Sequence, residues 1–268
     1  MSKSSPRRSW RIRAHRRLVK TQRRFTRQRD PDPAVLYTYP PRQTRADERI
    51  NWLTHATAAI ASLIAGLWLV YAAIRQGELL IIVGCAAYAA TLTMVFTMSA
   101  LSHRVRQPRV KHLFRTLDQA SIYLYTAGSF TPYFIRYLIP LGWGWTIPVM
   151  WGIAILGAWD KLRGDRVNSI SLWMYVALGW FPVVAAKPLL SSLPWGCVVL
   201  VITAGSCYML GLVFLLRDEG RLYFHAVWHV LVMAAGILTY AGIATYVLEP
   251  AGPAESRLEA VSAAADLK

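Results

Sequence analysis

The sequence predicts an all-α membrane protein: a seven-transmembrane helix bundle with its N-terminus cytoplasmic and its C-terminus outside. Three observations predict it. Apolar residues make up 55% of the 268 and charged residues only 16%, against about 25% charged in soluble domains. Seven apolar segments are each long enough to cross a hydrocarbon core about 30 Å thick at about 1.5 Å per residue. The net charge of +16 is not spread along the chain, because 15 of the 30 Lys and Arg lie in the first 49 residues. What remains is a long apolar body with its charges in short clusters.

Residues 1–45 read as a basic cytoplasmic tail and a Pro-rich linker carrying Pro31, Pro33, Pro40 and Pro41. The first 29 residues hold 12 Lys or Arg and no acid, so this tail is expected to be disordered and drawn to anionic lipid headgroups. An organellar transit peptide fits the same Arg-rich, acid-free composition. A twin-arginine export signal at Arg23-Arg24 does not, because Thr26 to Asp32 is polar where an apolar stretch is required. No nucleic-acid partner is expected.

The membrane domain spans 46–248, with a short outside tail at 249–268. Its seven segments are Trp52–Ile74, Leu79–Ser102, Thr116–Ile135, Leu138–Trp159, Val167–Leu190, Leu193–Leu216 and Leu222–Leu248. Helices are the expected spanning form, since lipid offers the backbone no hydrogen-bond partner. Barrel strands would be about 9–11 residues of alternating polarity, and these runs are longer and do not alternate. Short connections leave no room for an inserted soluble domain. Cys85, Cys197 and Cys207 each fall inside an apolar run without metal-type spacing, and so read as small apolar residues. Counting Lys and Arg in alternate connections gives 25 on the N-terminal side and 5 on the other. The positive-inside rule therefore sets the orientation. The cell (plasma or inner) membrane is the expected location; an organellar membrane would rename the compartments and leave the sidedness as it is.

Ionisable groups within a membrane are costly and are functional candidates by default. His55 is near the start of the first segment, Ser99 and His103 close the second, Asp118 opens the third, and His225 and His229 lie early in the seventh. Segments 1, 3 and 7 run outward and segment 2 runs inward, so all of these residues converge on the cytoplasmic level. His225 and His229, four apart, share a helix face about 6 Å apart along the axis, where two imidazoles can ligate one zinc ion. His103 can supply a third nitrogen, Ser99 one turn deeper can hydrogen-bond a ligand, and Asp118 can reach a metal-bound water or orient it. Three protein ligands and a water are the layout of a catalytic zinc site. A proton relay built from the same His and Asp residues is the competing reading. Glu48, Asn51 and His55 share a face at the entry of segment 1 and are positioned to brace the site.

These residues, in this order, resemble the hemolysin III family, the bacterial branch of the adiponectin and progestin receptor superfamily. The resemblance runs through Glu48-x-x-Asn51-x-x-x-His55, Ser99-x-x-x-His103, Asp118 followed by Gly128-Ser129-Phe130-Thr131-Pro132, and His225-x-x-x-His229, with Trp173-Met174-Tyr175 to Gly179-Trp180 in segment 5. It covers roughly residues 46 to 248. It implies seven helices with a cytoplasmic N-terminus, zinc held by His103, His225 and His229, and Asp118 acting through water. It also implies a metal-dependent hydrolase of a lipid amide or ester. The alternative is a non-enzymatic membrane sensor, or a regulator of membrane energetics or ion homeostasis, in which the zinc is structural. Two features depart from the family pattern: a longer basic N-terminal extension, and Ser102 where a larger aromatic residue is common. Membrane lipids are the expected partners, and no obligate protein partner is evident.

Overall fold

The computed structural model describes residues 45–163, 171–218 and 221–248. The basic tail and linker placed at 1–45 lie outside the described residues apart from Arg45, as does the tail at 249–268. Among the described residues every element is helical. In chain order these are α1 (Arg45–Gln76), α2 (Leu79–Arg104), α3 (Pro108–Tyr133), α4 (Thr146–Arg163), α5 (Ser171–Gly179), α6 (Ala186–Ser192), α7 (Trp195–Leu216) and α8 (Phe224–Gly242).

The burial pattern is that of a chain solvated by lipid. In α1 the buried residues are Asp47, Asn51, His55, Ala58, Ser62, Gly66, Leu69 and Ala73, one stripe at steps of three and four. Large apolar side chains such as Ile60, Ile64, Leu67 and Trp68 point outward. The small residues of the stripe let α2 approach closely, since a Cβ on Gly66 would collide with Ala89. α2 packs in turn on α3, α3 on α4, α7 on α8, and α8 back on α1. The chain is a multi-pass membrane protein. Among the described residues five stretches are long and apolar enough to cross a bilayer by length and composition: Arg45–Gln76, Leu79–Arg104, Met174–Ser192, Trp195–Leu216 and Phe224–Val247. α3 falls short because it is an interior helix whose buried face includes Thr116, Ser121, Ser129 and Thr131. α4 falls short because its last turn carries Asp160, Lys161 and Arg163.

Several segments differ from their expected bounds, the first helix beginning at Arg45 rather than Trp52. The fourth helix begins at Thr146 rather than Leu138, because Pro140 lies in a 3-10 turn that ends on left-handed Gly142 (φ 79°). The fifth is two short helices with a 3-10 turn, Phe181–Ala185, between them. Pro182 has no N–H to continue the α-helical ladder at that point. The third runs from Pro108 and passes into a π-helical turn, Phe134–Leu138, just beyond Pro132.

Tyrosines tie the interior together. Tyr88 of α2 donates to the carbonyl of Gly236 at 3.0 Å, Tyr133 of α3 to that of Thr239 at 3.0 Å, and Tyr137 to that of Tyr246 at 2.7 Å. Tyr125 and Tyr208 share a hydrogen bond of 2.7 Å between α3 and α7. In an apolar surround a phenol without a partner is unfavourable, so these contacts fix which faces of α2, α3 and α8 meet. Tyr133→Phe is expected to cost about 0.6 kcal/mol, the average for a side-chain hydrogen bond within a membrane bundle. Unfolding of the purified protein in mixed micelles measures it.

Candidate metal centre

The end of α2, the first turns of α1 and the start of α8 lie together at one end of the bundle, and three imidazoles meet there. His103 is in the last turn of α2, and His225 and His229 occupy the first two turns of α8. One potential ligand atom from each lies within 4.8 Å of the others. Ring centroids are 5.2 Å apart for His103 and His225, 5.1 Å for His103 and His229, and 4.7 Å for His225 and His229. His229 is 1% exposed and His103 8%, whereas the His225 side chain is 21% exposed. Access to the cluster is therefore by way of His225.

The hydrogen bonds around the rings decide which nitrogens are free. His103 donates from Nδ1 to Glu48 Oε2 at 2.8 Å. His225 donates from Nδ1 to Asp218 Oδ2 at 2.9 Å. His229 Nδ1 lies 3.4 Å from Thr54 Oγ1, and the same histidine hydrogen-bonds the backbone of Asn51. With Nδ1 turned to a protein acceptor, Nε2 is the nitrogen each ring offers to a cation. Histidines that donate their second nitrogen to a carboxylate or carbonyl are the usual form of metal-ligating imidazoles. The donor set therefore fits a metal ion.

Glu48 holds more than His103. Lys111 Nζ reaches its Oε1 at 2.6 Å and Arg115 at 3.6 Å, so one carboxylate joins α1, the end of α2 and the first turns of α3. Two cations and a donating imidazole therefore converge on one carboxylate. His55 stacks on His229 with centroids 3.7 Å apart and meets Phe96 edge-on at 5.2 Å. Both ring nitrogens of His55 are buried without a hydrogen-bond partner among the described residues. Glu48, Asn51 and His55 thus all lie against the histidines, as their common face on α1 predicts.

Ser99 and Asp118 form a second, adjoining group. The Ser99 and Ser102 side chains lie close to the Asp118 carboxylate, both serines are buried, and the Ser102 hydroxyl donates to the carbonyl of Ser99 at 2.9 Å. Ser99 is one turn from His103 on α2, so the carboxylate of α3 is held just deeper than the imidazoles. Ser102, where the family pattern often has an aromatic residue, turns its hydroxyl back onto its own helix, to the carbonyl of Ser99. Two carboxylates near the site were not anticipated, Asp218 and Asp47. Asp47 is 5% exposed and accepts from the backbone N–H of Tyr223 at 3.0 Å. Tyr223, immediately before α8, adopts left-handed backbone geometry (φ 63°), uncommon for a residue with a side chain.

Fold and site together define a helical membrane protein with three imidazoles arranged to hold a metal. A family model described as Haemolysin-III related matches residues 43–240. The chain is 32% identical to Hemolysin-3 of Bacillus cereus over 207 residues, covering 76% of this chain and 94% of that one. It is 24% identical to the Hemolysin-3 homolog of Bacillus subtilis (strain 168), covering 76% and 95%. A further relative is the human Monocyte to macrophage differentiation factor, 28% identical over 174 residues, covering 59% of this chain and 68% of that protein. The chain belongs to the hemolysin III family, within the adiponectin and progestin receptor superfamily.

Proposed function

We propose that the chain is a seven-span membrane hydrolase with a cytoplasmic N-terminus and an outside C-terminus, using zinc held by His103, His225 and His229 to cleave a lipid amide or ester. The observation that carries this reading is the set of three imidazoles with their Nδ1 atoms turned to protein acceptors, with the carboxylate of Asp118 close to Ser99 one turn from His103. Three nitrogen ligands leave a fourth position open, as catalytic zinc sites do. Zinc there would supply an activated water and polarise a scissile carbonyl. Asp118 would accept a proton from the attacking water and return it to the leaving group. Ser99, close to it on α2, would aim that carboxylate.

The fold supports a lipid as substrate. An apolar groove of about 340 Å³ opens between α1 and α8, lined by Ile50, Thr54, Tyr223, Ala226, Val227 and Val230. Thr54 belongs both to this groove and to the contact with His229. An acyl chain lying there would bring a carbonyl up beside the histidines.

A second reading, a sensor or regulator with structural zinc, draws on the burial of His103 and His229, which lie between α1, α2 and α8 as a clamp would. Asp118→Asn separates the two. The hydrolase is expected to retain its zinc and to lose at least about 100-fold in zinc-dependent fatty-acid release from a lipid panel, the usual size of a general acid–base contribution. Unchanged release from the variant would rule out the role given to Asp118. No release by the zinc-loaded wild type from any amide or ester lipid would rule out the hydrolase.

A further inference from the structure

We infer that Asp218, in the short connection between α7 and α8, is a positioning residue that sets the third ligand of the metal centre. This rests on the metal reading above. His103 and His229 are inside the bundle and held by packing on several sides, His229 by the ring of His55 and His103 by its bond to Glu48. His225 is placed differently. It is the second residue of α8, it is the most exposed of the three, and the N-cap residue before the helix, Tyr223, provides no side-chain cap. Packing therefore fixes its ring less than the others, and a directed hydrogen bond has more to decide.

That bond comes from Asp218 Oδ2, 2.9 Å from His225 Nδ1. An ionised carboxylate can only accept, so the pairing places the ring proton on Nδ1 and leaves the Nε2 lone pair for the metal. The carboxylate is itself well placed to hold a ring still. The carbonyl of Asp218 accepts from the N–H of Arg221 at 3.1 Å. Two residues further on, the N–H of Tyr223 is held by buried Asp47 of α1. Tyr223 is thus fixed to α1, and Asp218 to the ligand. Asp218 is outside the group of residues whose ligand atoms converge, so its part is to orient His225 and not to bind the ion.

The test uses the full-length purified protein in detergent, with zinc affinity read by chelator competition and unfolding temperature read on the chelator-stripped protein. Asp218→Ala is expected to weaken zinc binding about 10–100-fold, the range for loss of a carboxylate behind a ligating histidine. Asp218→Asn keeps an acceptor for Nδ1–H and is expected to recover most of the affinity. Stripped wild type and both variants should unfold at the same temperature. Zinc affinity of Asp218→Ala within twofold of wild type overturns the inference, as do two equally weakened variants that also unfold early. A second measurement needs no variant: ¹⁵N-histidine spectra of the zinc-loaded wild type should show His225 protonated at Nδ1 and metal-bound at Nε2, and ligation through Nδ1 overturns the inference. A wild type that binds no zinc overturns the metal reading and this inference together, whereas the outcomes above overturn this inference alone.

Discussion

Replacing His225 and His229 together by alanine is expected to reduce the zinc content of the purified protein from about one ion per chain to less than about a tenth of that. Two of the three nitrogens come from this one helix, and a lone imidazole from α2 cannot hold the ion against water. His103→Ala should also lose metal, although the i, i+4 pair that remains retains some affinity. Elemental analysis after size exclusion measures both. His229 is fully buried against His55, so its removal also leaves a cavity, and the elution profile of each variant separates loss of metal from loss of fold. A double variant that is folded and fully zinc-loaded would remove the metal assignment, and the hydrolase with it. The expected effect is larger than for any other substitution at the site, because Glu48, Asp218 and Thr54 act on the ion only through the rings.

The histidine cluster was legible in the sequence for a physical reason. Helical spacing puts His225 and His229 on one face, and loop charges assign each segment a direction, so the depth of every intramembrane polar residue can be compared before any contact is known. The same reasoning places Glu48, Asn51 and His55 together, since their spacing of three and four residues puts them on one helix face. Asp218 and Asp47 were not legible. An acid in a connection or at a helix start has a sufficient explanation in solvation or the helix dipole, and only their contacts, Asp47 with the N–H of Tyr223 and Asp218 with the ring of His225, place these two at the site. Hydropathy also merged the two halves of the fifth segment, because Pro182 interrupts the hydrogen-bond ladder without interrupting the run of apolar side chains. It placed the fourth helix too early for a similar reason. Leu138 to Trp145 is apolar enough to belong to a span, yet Pro140 and Gly142 turn the backbone there.

Gly128→Val is expected to be the most damaging change to the bundle itself. The Gly128-Ser129-Phe130-Thr131-Pro132 stretch carries no metal ligand, and the structure explains it as packing. At Gly128 α3 lies so close to α2 that a Cβ would overlap the hydroxyl of Thr91 and press on the carbonyl of Ala87 at 3.2 Å. Thr91 cannot turn aside without cost, since its hydroxyl donates to that same carbonyl at 2.7 Å. Three residues on, Thr131 accepts the indole N–H of Trp151 at 3.0 Å and ties α3 to α4, and Pro132 leads into the π-helical turn. A valine at 128 would force α2 and α3 apart. Overpacking of this kind costs about 1–3 kcal/mol where side chains can adjust, and a backbone carbonyl cannot, so the upper end or beyond is expected. Because α2 carries Ser99 and His103 and α3 carries Asp118, the same separation would pull the carboxylate from the histidines. Folded yield and thermal unfolding should fall together, and whatever folded fraction remains should bind zinc more weakly, although the substituted residue is remote from every ligand. Alanine at 128 should show the same losses at smaller size, and a wild-type unfolding temperature for the valine variant would mean that the α2–α3 contact is looser than the structure shows.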